Sequence, residues 1–223
     1  GAYPGNSMDQ VKWVGTIGAD YGVIAVAGDS DVVTLGELLE NLKNKPRKWV
    51  IGGGSAVGGW DHLKVLMAAK EYGISNVRKI KYVSFDGGVD AVTQLLAGNV
   101  QIFTGDVSEI KGFVDSGDIK IIAVLSPDRL PGDFSKFYTA REQGVNVVGA
   151  NWRGFYVPKG MSDDAYNFWA SAIKKMYDTP QWKKTMAKNG LAPLDLSGKA
   201  FEAFVANSVA SIQTISKQIG IIK

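Results

Sequence analysis

Three glycine-rich segments carry the residues best placed to do chemistry. They are Gly52-Gly53-Gly54-Ser55-Ala56-Val57-Gly58-Gly59, Asp86-Gly87-Gly88 and Thr104-Gly105-Asp106. Each falls between a short β-branched run and a helical pattern. Glycine lets the backbone approach a ligand closely, and a helix N-terminus offers unpaired N–H groups with partial positive charge. Such a turn can cradle a carboxylate or a phosphate. One turn of this kind is explained by tight chain reversal alone, whereas three in consecutive strand–helix units point to an anion site. The phosphate signatures are missing: the run 52–59 has no following Gly-Lys-Ser/Thr and does not fit G-x-G-x-x-G, so a nucleotide is not expected.

An enzyme would have to be built on Ser55, His62 or Asp106. A catalytic triad needs three side chains converging in space, and Asp61 and His62, adjacent in sequence, do not easily form that relay. His62 is the only histidine and there is no cysteine. Thiol catalysis, disulfides and histidine- or cysteine-rich metal sites are therefore excluded, and no cofactor or metal is expected. His62 reads as a helix-start residue bonded to the neighbouring loop. Asp106 reads as a helix cap, with a catalytic base as the alternative. Trp60, Trp152 and Trp169 read chiefly as packing residues; Trp60 and Trp152 lie near the expected cleft, where they can also wall a ligand.

The elements that must position these residues follow from periodicity. Trp13–Ile17 and Val23–Ala27 read as two short strands separated by glycine. Thr34 with Glu37 three residues on forms a capping box, and Leu35, Leu38, Leu39 and Leu42 share one face of the helix that follows. Trp49–Ile51, Ile80–Phe85, Val100–Phe103 and Ile119–Leu125 read as strands, each followed by a turn or helix. The continuous apolar run of the last marks a strand covered on both sides. Such alternation predicts a doubly wound, parallel α/β lobe over about 23–150. After Gly149 the pattern changes to one strand, Trp152–Val157, and then amphipathic helices. One carries Tyr166, Trp169, Ile173, Met176 and Tyr177; the last carries Phe201, Phe204, Val205, Ile212 and Ile215. Residues 1–22 with 151–223 thus form a second lobe, which reads as incomplete, as if its sheet were started by residues outside the chain.

A formal charge of +3 with scattered basic residues gives no concentrated basic face, so nucleic acid is not an expected partner. No apolar run approaches the roughly 20 residues needed to span a bilayer.

The order Gly53-Gly54-Ser55…His62-Leu63, then Val83-Ser84-Phe85-Asp86-Gly87-Gly88-Val89-Asp90-Ala91, resembles the Bug-type substrate-binding proteins of tripartite tricarboxylate transporters. The likeness continues through Leu95-Leu96-Ala97-Gly98-Asn99-Val100, Gly117-Asp118-Ile119-Lys120-Ile121-Ile122-Ala123-Val124 and Asn151-Trp152-Arg153-Gly154-Phe155-Tyr156-Val157-Pro158. It implies a periplasmic-binding-protein-like α/β fold of type II, with two lobes joined by a two-segment hinge and the first lobe lacking its leading strands. It also implies an extracytoplasmic, non-enzymatic receptor, monomeric when complete, that hands a di- or tricarboxylate such as citrate to the permease subunits in the membrane. The positions matching the family's ligand turns are Gly54, Ser55, Gly87, Gly88, Thr104 and Asp106. Arg153 is either an ion-pair former or a clamp on an additional carboxylate. Two further functions fit the same residues: a sensory module signalling through the same cleft to a partner protein, and an α/β enzyme.

Overall fold

The computed structural model describes residues 5–218, 220 and 222. The chain divides into two compact units: Gly1–Ala19 with Trp152–Thr214 as unit 1, and Asp20–Asn151 with Ile215–Lys223 as unit 2. The final stretch, expected with the first lobe, thus groups with the other unit, and Ile215 packs against that unit's aliphatic cluster.

Unit 2 is built on strands β1 (Val11–Ala27, its later half), β2 (Val50–Gly53), β3 (Lys81–Ser84), β4 (Ile102–Asp106) and β5 (Ile119–Val124), in the order β3-β2-β4-β1-β5. β2 pairs in parallel with β3 and with β4, but β1 lies antiparallel to both β4 and β5. The all-parallel sheet anticipated from strand–helix alternation is therefore corrected: a reversed strand is inserted between β4 and β5. The two strands read at Trp13–Ile17 and Val23–Ala27 are one strand of 17 residues. Gly18 stays in it at φ 137°, and Gly22 continues the ladder opposite Asp106. Glycine here extends the chain instead of turning it.

Because β2, β3 and β4 run the same way, their carboxyl ends meet at one edge. Gly53 stands beside Ser84, and Gly52 beside Phe103. Helices α1 (Leu35–Asn44), α2 (Trp60–Glu71), α3 (Gly88–Leu96) and α4 (Val107–Asp115) return from this sheet. α1 starts with the anticipated capping box: Glu37 N–H donates to Thr34 Oγ1 at 3.2 Å and Thr34 N–H to Glu37 Oε2 at 3.1 Å. Its four leucines are fully buried, each a gain of roughly 1.5–3 kcal/mol from the hydrophobic effect. α3 ends at Gly98, whose φ of 75° supplies the left-handed C′ position.

In unit 1, strand β6 (Ala150–Pro158) pairs with β1, and helices α5 (Asp163–Asp178), α6 (Pro180–Lys188) and α7 (Gly198–Gln218) follow. Trp13, Trp152 and Phe201 meet edge to face with centroids 5.4–5.8 Å apart. Gly154 makes room for the last, since a Cβ there would stand 2.8 Å from the Phe201 ring. α7 buries Phe201 and Val205 as its pattern predicts, but Ile212 is 38% exposed.

Candidate functional site

The carboxyl edge of the unit 2 sheet is assembled from glycine outward. A Cβ on Gly54 would stand 2.7 Å from the Gly88 nitrogen and 2.8 Å from the Gly87 carbonyl carbon. The first two glycine-rich segments therefore touch backbone to backbone, which no side chain at position 54 would allow. The N–H groups of Gly54, Ser55 and Gly87 find no acceptor among the described residues, and all three positions remain partly open to solvent. Tyr82 Oη donates to the Ser55 carbonyl at 2.7 Å, and Ser55 Oγ accepts from Asp61 N–H at 2.9 Å, holding this turn against the start of α2. The Ser55 hydroxyl keeps its own proton to donate. Burial pushes the Tyr82 phenol up to about 12.

The third segment is not a turn. Thr104, Gly105 and Asp106 are the last residues of β4, and all are buried. Gly105 is glycine because the Phe103 ring and the Glu109 carboxyl fill the space of its side chain. Thr104 Oγ1 donates to the Asp61 carbonyl at 3.1 Å. Asp106 takes a hydrogen bond from Asn151 Nδ2. Thr104 and Asp106 thus form a buried polar frame at the end of β4.

That frame encloses a residue the sequence did not single out. Lys64, on α2, is completely buried, with Nζ 2.9 Å from Asp61 Oδ1, 2.7 Å from Asp106 Oδ1 and 2.8 Å from the Gly105 carbonyl. Two of these contacts are hydrogen bonds, to Gly105 and Asp106, and the third is an ion pair with Asp61. The one local signal was the i, i+3 spacing of Asp61 and Lys64; a lysine on an amphipathic helix otherwise reads as solvent-facing.

His62 behaves as a helix-start residue: Gly58 N–H donates to Nδ1 at 3.0 Å, and the ring stacks on Tyr82 at 4.5 Å. Burial lowers its pKa, so it is held neutral with its proton on Nε2. Trp60 packs against the aliphatic core of unit 2, and its buried Nε1 has no acceptor among the described residues. Trp152 sits in the aromatic cluster of unit 1, next to exposed Arg153 on β6. No group of three or more acidic or histidine side chains among the described residues is arranged to hold a metal. No helix among them is long and apolar enough to cross a membrane.

The sheet edge of unit 2 thus brings partly exposed backbone turns beside a buried, ion-paired cluster. The chain belongs to the tripartite tricarboxylate transporter family receptors, whose model matches residues 3–221. It is 23% identical over 206 residues to the UPF0065 protein in the gbd 5' region of Cupriavidus necator, covering 92% of this chain and 61% of that one. The chain thus spans less than two thirds of that relative's length. Among solved structures it resembles a TctC solute binding protein from Polaromonas, with a TM-score of 0.77 at 23% identity, covering 96% of this chain and 72% of that one. It also resembles an R. palustris protein solved with adipate, with a TM-score of 0.82 at 20% identity, covering 95% and 69%. These likenesses establish a periplasmic-binding-protein fold.

Proposed function

We propose that this chain captures a small organic di- or tricarboxylate outside the cytoplasm and passes it to the membrane permease of a tripartite tricarboxylate transporter, without chemical change to the ligand. Family membership supports the transporter partner, and the adipate-bound neighbour supports the ligand class. Citrate is the tricarboxylate we favour.

The observation that carries the reading is the division of labour at the sheet edge. The buried cation, Lys64, is ion-paired with Asp61 and Asp106 and hydrogen-bonded to the Gly105 carbonyl, so its charge is met inside the protein. What lacks an acceptor among the described residues, at positions partly open to solvent, is neutral: the N–H groups of Gly54, Ser55 and Gly87, the last capping α3. Such donors suit a carboxylate, with the helix N-terminus adding partial positive charge. Thr104 and Asp106 hold the floor through their contacts with Asp61, Lys64 and Asn151.

Adipate and citrate should raise the melting temperature of the protein, whereas a neutral sugar should not. At a hundred times the dissociation constant, binding adds about 2.7 kcal/mol of stability. A shift with the sugar and none with either acid would overturn the proposal.

A further inference from the structure

Basic residues that look scattered along the chain meet at the amino edge of the unit 2 sheet, the edge away from the glycine-rich turns. Lys45, Arg47 and Lys48 lie between α1 and β2, and Lys79 ends the 3₁₀ turn Val77–Lys79 that leads into β3. β2 and β3 are parallel, with Val50 beside Lys81, so both basic turns stand where the strands begin. Together with Pro46, the four cations line a shallow cavity of about 430 Å³.

Both turns are fixed from within. Pro46 cannot extend α1, and Lys48 N–H donates to the Lys45 carbonyl at 3.0 Å, closing a four-residue turn. Trp49 then packs on the aliphatic core. The second turn is anchored by buried Val77 and Ile80, with Ile80 N–H donating to the Val77 carbonyl at 3.1 Å. The four basic side chains are exposed, and among the described residues no acid pairs with any of them. Glu40, on α1, is engaged by Lys43 at 3.8 Å, Asn44 at 3.0 Å and Tyr72 at 3.3 Å. Glu71, at the end of α2, is exposed and makes no ion pair with the four. The α1 dipole accounts for cations at its own last turn, Lys43 and Lys45, but not for Lys79 on a separate turn.

We propose that Lys45, Arg47, Lys48 and Lys79 form a docking surface for an anionic phospholipid bilayer. Their chemistry favours phosphate. All but Arg47 are lysines, and an ammonium meets phosphate as a point charge from any direction, whereas a carboxylate peptide is gripped best by the paired donors of arginine forks. Their exposure favours a surface over a small anion. A single exposed ion pair contributes little, so one free phosphate among flexible ammonium groups is weakly held. A lipid surface presents phosphates to all four cations at once, and each cation near it adds about fivefold to the affinity. The lining holds no aromatic ring among the described residues on which a nucleic-acid base could stack. Docked this way, unit 2 keeps the glycine-rich turns at the opposite edge of its sheet, clear of the lipid.

The test is flotation of the protein with phosphatidylglycerol vesicles and with phosphatidylcholine vesicles, at low and at high salt. The double variant Lys45→Gln, Lys79→Gln removes two charges from the cluster. The double variant Lys183→Gln, Lys184→Gln removes two from α6 and leaves the cluster whole. All four side chains are exposed, so both variants keep the fold. The wild type should float with phosphatidylglycerol alone and be released by salt, as the screening length shortens. The cluster variant should bind about 30-fold more weakly, two factors of about fivefold, and the α6 variant should bind like the wild type. Equal losses in the two variants would show attraction by net charge alone and overturn the inference. So would equal flotation with phosphatidylcholine, or no flotation with either lipid. Tighter binding of polyglutamate or of inorganic phosphate than of the vesicles, measured by calorimetry, would assign the cluster to an acidic protein or a free anion and overturn it as well. Each of these outcomes leaves the carboxylate reading standing, because its turns lie at the other edge of the sheet.

Discussion

The two units solve the problem of a small core differently. Unit 2 is aliphatic and hides charge: Leu35, Leu38, Leu39, Leu42, Ile24 and Ile51 are fully buried, and so is Lys64. Unit 1 is aromatic and shows its rings: Tyr156, Phe168 and Trp169 are 50–66% exposed, and α5 buries only Tyr177 fully. A groove of about 770 Å³ in unit 1 is lined by Trp13, Trp152, Tyr156 and Val205 and by polar Asn6, Ser7, Asp9, Gln10 and Gln213. The small-anion site proposed in unit 2 differs in lying beside a buried, ion-paired lysine. The difference bears on rigidity: the turns proposed to receive a ligand are held by backbone contact beside buried ion pairs.

The largest effect should come from breaking that ionic floor. Lys64→Met leaves Asp61 and Asp106 buried without their common cation, a loss of about 3–5 kcal/mol. Urea denaturation should show it as a lower midpoint at unchanged slope. Replacing Lys174, which pairs with Asp178 and Asp195 on the half-exposed surface of unit 1, should cost well under about 1 kcal/mol. Similar losses for the two lysines would mean that the unit 2 floor is not a buried ionic network.

Next in size is the contact between the two ligand turns. Gly54→Ala forces a methyl group against the Gly87–Gly88 backbone, and because backbone cannot swing aside the cost should be about 1–3 kcal/mol. Gly87→Ala meets nothing within 4 Å, and its φ of −174° is extended backbone that any residue adopts, so it should change stability by less than about 0.5 kcal/mol. If the order of the two is reversed, the turns do not pack as described.

What the sequence made legible is what is local. The Thr34–Glu37 box, the leucine stripe of α1 and the Gly98 stop depend on neighbours within one or two turns, and all stand in the structure. The direction of β1 was not legible, because its partners Thr104 and Ala123 lie about a hundred residues or fewer downstream and nothing in Val23–Ala27 encodes orientation. Thr104-Gly105-Asp106 looked like a turn because glycine signals both reversal and close approach; here Phe103 and Glu109 fill the space. Of the candidate site, the glycines at 54, 87 and 88 could be read from spacing. Lys64 and Glu109 could not, since each reaches its neighbours through tertiary contacts alone.

The smallest expected effect compares the helix caps of the two units. α1 has a reciprocal cap, with Glu37 Oε2 also accepting Val33 N–H at 3.0 Å, and its apolar face is fully buried. α5 has one cap bond, from Ala165 N–H to Ser162 Oγ at 3.3 Å, and exposes Phe168 and Trp169. A cap is worth roughly 1 kcal/mol in either helix, but only a helix tied into the cooperative core passes that loss to the whole molecule. Thr34→Ala should therefore lower global stability by about 1 kcal/mol. Ser162→Ala should leave it nearly unchanged and instead speed amide hydrogen exchange in the first turns of α5. The α1 cap should also weaken in acid. Backbone N–H groups hold the Glu37 carboxyl below its ordinary value, so its contribution is complete above the unfolded glutamate pKa and fades as pH falls through the lowered one. Equal global losses for the two caps, with no local exchange difference, would show that α5 is as firmly seated as α1 and would remove the contrast between the units.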